Sequence, residues 1–210
     1  MKQLYIFGTS GFAREVRDVG EDLGFQCVFI AASAAERDQW TGDEPVIVEA
    51  DLDPADGDSF AIGIGDNKIR GKIAEKYASR LHFPNLIHPS ASFGSGQLGR
   101  IAGRSGIIVC AGGRFTNGID VGDFAIFNLN CTVGHDCAIG NFVNVAPGAN
   151  LSGYVTIEDY CWVGTNAAIN QGEPGRPLTI GRGTVIGSGS VVVKDCEPDG
   201  VYVGIPAKRR

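Results

Sequence analysis

VGDFAIFNLNCTVGHDCAIGNFVNVAPGANLSG, Val121 to Gly153, carries an apolar residue at every sixth position: Val121, Phe127, Val133, Ile139, Val145 and Leu151. The register continues through Ile157, Val163 and Ile169, so nine anchors stand six apart without a slip. One residue after an anchor comes a small or polar residue, among them Gly122, Gly134, Gly140, Ala146, Ser152 and Gly164. Four after it comes a small or β-branched one: Ala125, Cys131, Cys137, Val143, Ala149, Val155, Cys161 and Ala167. This is a hexapeptide-repeat β-helix. Three hexads make one triangular coil, each hexad giving a short strand and a corner. The anchor points to the axis, the fifth position fills the remaining interior, and Gly and Asn tolerate the positive φ of sharp corners.

The register breaks at NQGEPGRPL (170–178) and resumes with Ile180, Ile186 and Val192, trailed by Thr184, Ser190 and Cys196. Ile169 to Ile180 is 11 residues, so about five extra residues beyond one hexad form a loop. Upstream, from Ala91 to Ile119, the repeat is ragged and predicts one or two irregular coils.

Before the repeat the periods are different. QLYIFG is a strand, and TSGFAREVRDVGEDLG places Phe12, Val16, Val19 and Leu23 at helical spacing, with Gly24 as a stop. FQCVFIA and SFAIGIG read as further strands, EPVIVEA as a weaker segment, and DNKIRGKIAEKYASRLH as a helix with Ile69, Ile73 and Tyr77 on one face. Strands alternating with helices predict a small parallel α/β unit. The Pro/Gly/Ser-rich FPNLIHPSASFGSG marks the junction, so we expect an α/β domain over 1–85 and a β-helix domain over 86–210.

Among the 210 residues, 43% are hydrophobic and 20% charged, and the net charge of -6 argues against nucleic acid as a partner. No run of about 20 apolar residues could span a bilayer, and MKQLYIFG leads into a strand pattern instead of a signal-peptide core, so the expected compartment is the cytoplasm. The six cysteines form no CxxC, and four of them (Cys131, Cys137, Cys161, Cys196) occupy the small inward slot, where free cysteine acts as a buried hydrophobe. His82 and His88 lie outside the regular repeat, so three histidines do not converge and no metal site is expected.

The hexads, together with GTSGFAREV (8–16), GIGDNKIR (63–70), VGHDCAIGNFVNVAPGANLSG (133–153), GSGSVVVKD (187–195) and GVYVGIPAKR (200–209), make the chain resemble the hexapeptide-repeat sugar O- and N-acetyltransferases. That group includes the bacterial nucleotide-aminosugar N-acetyltransferases and the sialic acid O-acetyltransferases. The resemblance implies a left-handed β-helix, acetyl-CoA as co-substrate, a nucleotide-sugar acceptor, and a homotrimer with active sites between subunits. It makes His135 the general base and Asp136 the residue that tunes it. The chemistry suits the pair, because imidazole accepts protons near neutral pH and a neighbouring carboxylate favours imidazolium.

By the same resemblance the Gly153 N–H serves the oxyanion, a side chain there being expected to crowd the acetyl group, while Asn144, Thr165 and Ser188 contact acetyl-CoA and GIPAKR closes its groove. Asn144 stands where some relatives carry a second histidine; an amide can donate there but cannot titrate. The glycine loop with Gly8, Ser10, Gly11, Phe12 and Arg14 opens a helix, where backbone N–H groups can hold a pyrophosphate. Gly65, Asp66 and Asn67 are expected to close that site and Asn128 to contact the sugar. One departure is FIAAS: Ala31, Ala32 and Ser33 stand where relatives carry an acidic residue after the second strand. The expected function is N-acetylation of a nucleotide-linked 4-amino-4,6-dideoxy sugar. The alternatives are O-acetylation of a sialic-acid-type sugar and, from another class, a non-catalytic trimeric sugar-nucleotide-binding scaffold.

Overall fold

A computed structural model describes residues 2–210. Strands β1 (Lys2–Phe7), β2 (Phe25–Ala31), β3 (Val46–Val48) and β4 (Ser59–Ile62) form a parallel sheet in the order β3-β2-β1-β4. Helix α1 (Gly11–Asp22) joins β1 to β2 and buries Ala13, Val16, Val19 and Gly20; a short α2 (Ala34–Asp38) precedes β3, and α3 (Asn67–Tyr77) follows β4. The apolar runs of β1, β2 and β4 are buried, as parallel strands covered on both faces must be.

From Leu86 the chain winds into a left-handed parallel β-helix of triangular section. Its first face stacks the strands Leu86–Ile87, Ile108–Val109, Ile126–Phe127, Asn144–Val145, Trp162–Val163, Val185–Ile186 and Val201–Val203, closed by an antiparallel Lys208–Arg209. The second face runs from Ser92–Phe93 through Thr132–Val133 and Asn150–Leu151 to Val191–Val192; the third comprises Asp120–Val121, Ala138–Ile139, Val155–Ile157 and Leu178–Ile180. Thr132 pairs with Asn150, one coil of 18 residues on. All nine anchors read from the sequence are at most 4% exposed. Burial pushes the thiols of Cys131 and Cys161 up to about 12 and those of Cys137 and Cys196 to about 11, which leaves them as inert filler.

The register begins earlier than the sequence suggested. Val109 and Phe115 are buried anchors in step with Val121, so a single irregular coil remains, and in it helix α4 (Gln97–Ile101) replaces the third side. The buried Gln97 amide donates to the Ile119 carbonyl at 2.7 Å and accepts from its N–H at 3.0 Å, standing in for the missing strand, while Ile101 plugs the end of the interior.

The corners correct a second expectation. Left-handed backbone falls on the third residue after an anchor, and there the chain places Phe124, Asn130, Asp136, Phe142, Tyr154, Tyr160 and Asn166, with φ from 53° to 61°. The glycines one residue after an anchor have ordinary φ. They are needed for close approach: a Cβ on Gly122, Gly134, Gly140 or Gly164 would lie 2.6 Å from backbone of the next coil.

The α/β unit packs on the first face, where Leu4, Ile6, Val16 and Val19 meet Leu86, Ile108 and Ile126. Helix α3 docks at the corner between the third and first faces and uses only part of its apolar stripe: Ile73 and Tyr77 pack with Phe7, Phe60 and Phe83. Ile69 is 48% exposed, whereas Asn67, Arg70, Gly71, Ala74 and Tyr77 are buried. A Cβ on Gly71 would stand 2.9 Å from the Tyr160 ring, so the helix backbone lies directly on that aromatic corner.

Candidate active site

His135 and Asp136 occupy the corner between the second and third faces, the one opposite the face that carries the α/β unit. His135 Nδ1 lies 2.8 Å from an Asp136 carboxylate oxygen, and both side chains are about half exposed (46% and 48%). With Nδ1–H donating to the carboxylate, the Nε2 lone pair faces outward as a proton acceptor. Asp136 is itself the left-handed residue of the corner, φ 57°, so the fold does constrain this position and admits aspartate there because a short polar side chain tolerates that conformation.

One coil further, Gly153 and Tyr154 stand over the pair. A Cβ on Gly153 would lie 2.5 Å from His135 Nε2 and 2.6 Å from Cε1. In this chain, therefore, the glycine is required by the imidazole itself, a different reason from the acetyl group expected above. The Gly153 N–H has no acceptor among the described residues, while its carbonyl accepts from the Gly172 N–H at 3.0 Å. The loop that interrupts the repeat thus rises from the same corner, above Gly153, and borders a cavity of about 460 Å³ with Gln171, Glu173, Arg176 and Lys194. Tyr154, which sequence reasoning missed, meets the His135 ring edge to face at 5.1 Å, and the Asp136 carboxylate raises its phenol pKa. The 18-residue coil was the available signal, since Tyr154 lies 18 after Asp136.

The other expected contacts do not share this corner. Asn128, Thr165 and Ser188 lie on the corner between the first and second faces, the last two exposed in successive coils. Asn128 is 8% exposed and its amide oxygen accepts the Leu129 N–H. Asn144 is on the first face, 2% exposed, donating to the Gly65 carbonyl at 3.3 Å, with its amide oxygen unpaired. Within one chain the structure does not bring Asn144 to His135, because the width of the prism separates them.

On the α/β unit the glycine loop is open. Gly8 takes φ 102°; Ser10 is the N-cap of α1 with no side-chain capping bond, and no acidic residue stands in the first turn. The Arg14 guanidinium is 3.9 Å from where a Gly11 Cβ would be, so a cation and free N–H groups converge at the helix start. Gly11 is exposed and Phe12 half-buried beside them. Near Ala31 the carboxylate of Glu36 accepts from Thr9 Oγ1 at 2.5 Å and from the Ala32 N–H at 2.8 Å. The helix α2 that carries it was not read from the sequence.

The GDN segment is engaged in structure. Asp66 caps α3 by accepting the Ile69 N–H at 2.8 Å. The Asn67 amide donates to the carbonyls of Tyr160 and Cys161, both at 2.9 Å, and its oxygen accepts from Arg70, so the buried Asn67 side chain has no group left for a ligand. His88 is likewise occupied, between Asp22 and Ser90, each 2.8 Å from a ring nitrogen. Among the described residues no group of three or more His, Cys, Asp or Glu could hold a metal ion, and no helix is long and apolar enough to cross a membrane.

An α/β unit rides on a left-handed β-helix, and an imidazole–carboxylate pair lies under a glycine at a free corner. Residues 3–77 match the PglD N-terminal domain family. The chain is 39% identical over 126 residues to the GDP-perosamine N-acetyltransferase of Escherichia coli O157:H7, a match covering 59% of this chain and 55% of that protein. It thus spans about half the length of the curated relatives it matches. Among solved structures, WeeI from Acinetobacter baumannii AYE is 28% identical with a TM-score of 0.88, covering all of both chains. PerB from Caulobacter crescentus in complex with CoA and GDP-perosamine is 27% identical with a TM-score of 0.83, covering 100% of this chain and 98% of that one. By these matches the chain is similar, in sequence and in fold, to hexapeptide-repeat sugar acetyltransferases.

Proposed function

We propose that the protein is an acetyl-CoA-dependent N-acetyltransferase whose acceptor is the amine of a nucleotide-linked 4-amino-4,6-dideoxy sugar. The observation that carries this reading is His135 Nδ1 held at 2.8 Å by Asp136 beneath Gly153. The sugar amine attacks the thioester carbonyl, His135 Nε2 takes the proton the nitrogen sheds, and the unpaired Gly153 N–H donates to the oxyanion. The attack forms the C–N bond; collapse of the tetrahedral intermediate restores the carbonyl, breaks the C–S bond and releases CoA thiolate, to which the imidazolium returns the proton. Asp136, accepting the Nδ1–H, fixes the tautomer.

The acceptor's diphosphate belongs at the start of α1, on Gly8, Ser10, Gly11, Phe12 and Arg14, with Gly65 beside it. Thr165, Ser188 and the GIPAKR segment belong to the acetyl-CoA groove. Because the α/β unit covers the face opposite His135, an acceptor it holds reaches the imidazole of another copy and not its own. This geometry supports a homotrimer with active sites between subunits.

The test is incubation with acetyl-CoA and GDP-perosamine, following thiol release and the mass of the acetylated sugar, beside the corresponding UDP and dTDP amino sugars. We expect stoichiometric acetyl-amide formation with one of them. Absence of product with all three, from protein that retains its fold, would refute the reading.

A further inference from the structure

Arg70 is 1% exposed, the largest fully buried side chain of the described residues, and no carboxylate is among its hydrogen-bond partners. Its guanidinium is met by six acceptors. Nε donates to the Phe124 carbonyl at 2.9 Å; one terminal nitrogen donates to the carbonyls of Ile64 and Gly65, both at 3.0 Å. The other donates to Asn67 Oδ1 and the Phe142 carbonyl at 2.8 Å, with the Val143 carbonyl at 3.4 Å. Three of these acceptors belong to the loop after β4 and the start of α3; the other three belong to two successive coils at one corner of the β-helix. A planar fork with five N–H donors can span such a set, and an ammonium cannot. Burying a cation among neutral carbonyls is costly unless every donor is satisfied, and here every donor is. Desolvation lowers its pKa to about 10, which leaves it charged at neutral pH.

The loop Arg70 grips faces the glycine loop. A Cβ on Gly8 would lie 2.9 Å from the Ile64 side chain, and the Gly65 carbonyl also accepts from Asn144. Asn67 continues the grip to Tyr160 and Cys161. Resting on the acetyl-transfer reading above, we propose that Arg70 is a positioning residue: it fixes the acceptor-binding end of the α/β unit, through Ile64, Gly65 and Asn67, at a set distance from the β-helix and hence from the reacting thioester.

The discriminating variant is Arg70→Lys, which keeps a cation and loses the fork; Arg70→Met is the second. Hydrogen exchange followed by mass spectrometry reads the grip directly. We expect faster exchange over residues 63–70 and 142–144 while the remaining β-helix stays protected. In steady-state kinetics, a displacement of about 1 Å can cost ~100-fold, so kcat/KM for the acceptor should fall by that order while the KM for acetyl-CoA stays within about twofold. Wild-type exchange over 63–70 in both variants overturns the proposal, and so does a parallel loss toward both substrates with general deprotection. Should the wild-type protein acetylate no nucleotide-linked amino sugar, the acetyl-transfer reading fails, whereas exchange and calorimetric GDP binding by wild type and Arg70→Lys still decide whether Arg70 sets the loop.

Discussion

Two corners of the same β-helix repeat one backbone and use it oppositely. At the corner between the third and first faces the left-handed slot holds Phe124, Phe142 and Tyr160, stacked at 5.5 and 4.9 Å, with the Arg182 guanidinium 5.0 Å from the last ring. At the corner between the second and third faces it holds Gly118, Asp136 and Tyr154. A left-handed L-residue costs roughly 1–2 kcal/mol, so an aromatic there needs compensation. The first corner obtains it from ring stacking, worth ~0.5–1.5 kcal/mol per pair beyond burial, and from the α/β unit that covers it. The second is not covered by the α/β unit: Gly118 and Asp136 tolerate the conformation, Tyr154 rests edge to face against the His135 ring, and the imidazole is exposed. What covers a corner decides its chemistry.

Breaking each corner should therefore give different phenotypes. The largest effect is expected from His135→Ala, a loss of about 1,000-fold in kcat or more with the thermal midpoint almost unchanged, since the side chain is half exposed. Near-full activity in that variant would remove the general-base role. Next, Phe142→Ala should cost about 3–5 kcal/mol of stability, read as a lower urea midpoint, because it removes the middle ring of the ladder and bares Arg70's acceptors. An unchanged midpoint would mean that the ladder is ornamental.

Gly153→Ala sharpens the comparison on the His135 side. The added Cβ would stand 2.5 Å from His135 Nε2, so the ring must swing away from the position in which Nε2 faces a substrate. We expect a loss of about 10- to 100-fold in kcat, with modest loss of stability, and a displaced imidazole in a crystal structure of the variant. Full activity would show that the ring has no required position.

The contrast also explains what the sequence could reveal. Period six exposed the β-helix because burial repeats along the chain: the anchor from Val121 to Ile169 and the slot that holds Cys131 and Cys161 are each chosen by the same local environment. His135 stood out because a titratable residue at a corner answers to nothing in that environment. Helix α3 was legible only as a helix. Its apolar spacing pointed to Ile69, yet it buries Arg70 and Asn67, since beside the apolar layer met by Ile73, Ala74 and Tyr77 its partner is a row of carbonyls at a β-helix corner. Polar docking leaves no periodic trace in one chain. The first coil was hidden for a related reason: Gln97 replaces a strand by pairing with the Ile119 backbone, and no hexad records a side-chain substitute.

Asp136 is the residue on which structural and chemical demands meet, and Asp136→Asn separates them with the smallest expected effect. Asparagine tolerates the left-handed corner as aspartate does, and its amide oxygen can accept the His135 Nδ1–H, so fold and tautomer are kept. Only the charge is lost. Because the pair is about half exposed, solvent screens that charge, and we expect a fall of about tenfold in kcat, not the far larger loss of a buried dyad. The same variant carries an internal check. The Asp136 carboxylate holds the Tyr154 phenol above its ordinary value by disfavouring the phenolate, so removing the charge must lower that pKa toward about 10, visible in the ultraviolet titration of tyrosine ionisation. An unmoved Tyr154 titration would mean that the Asp136 carboxylate does not set that pKa, and a tenfold loss of rate beside it would report misorientation of His135 instead of missing charge.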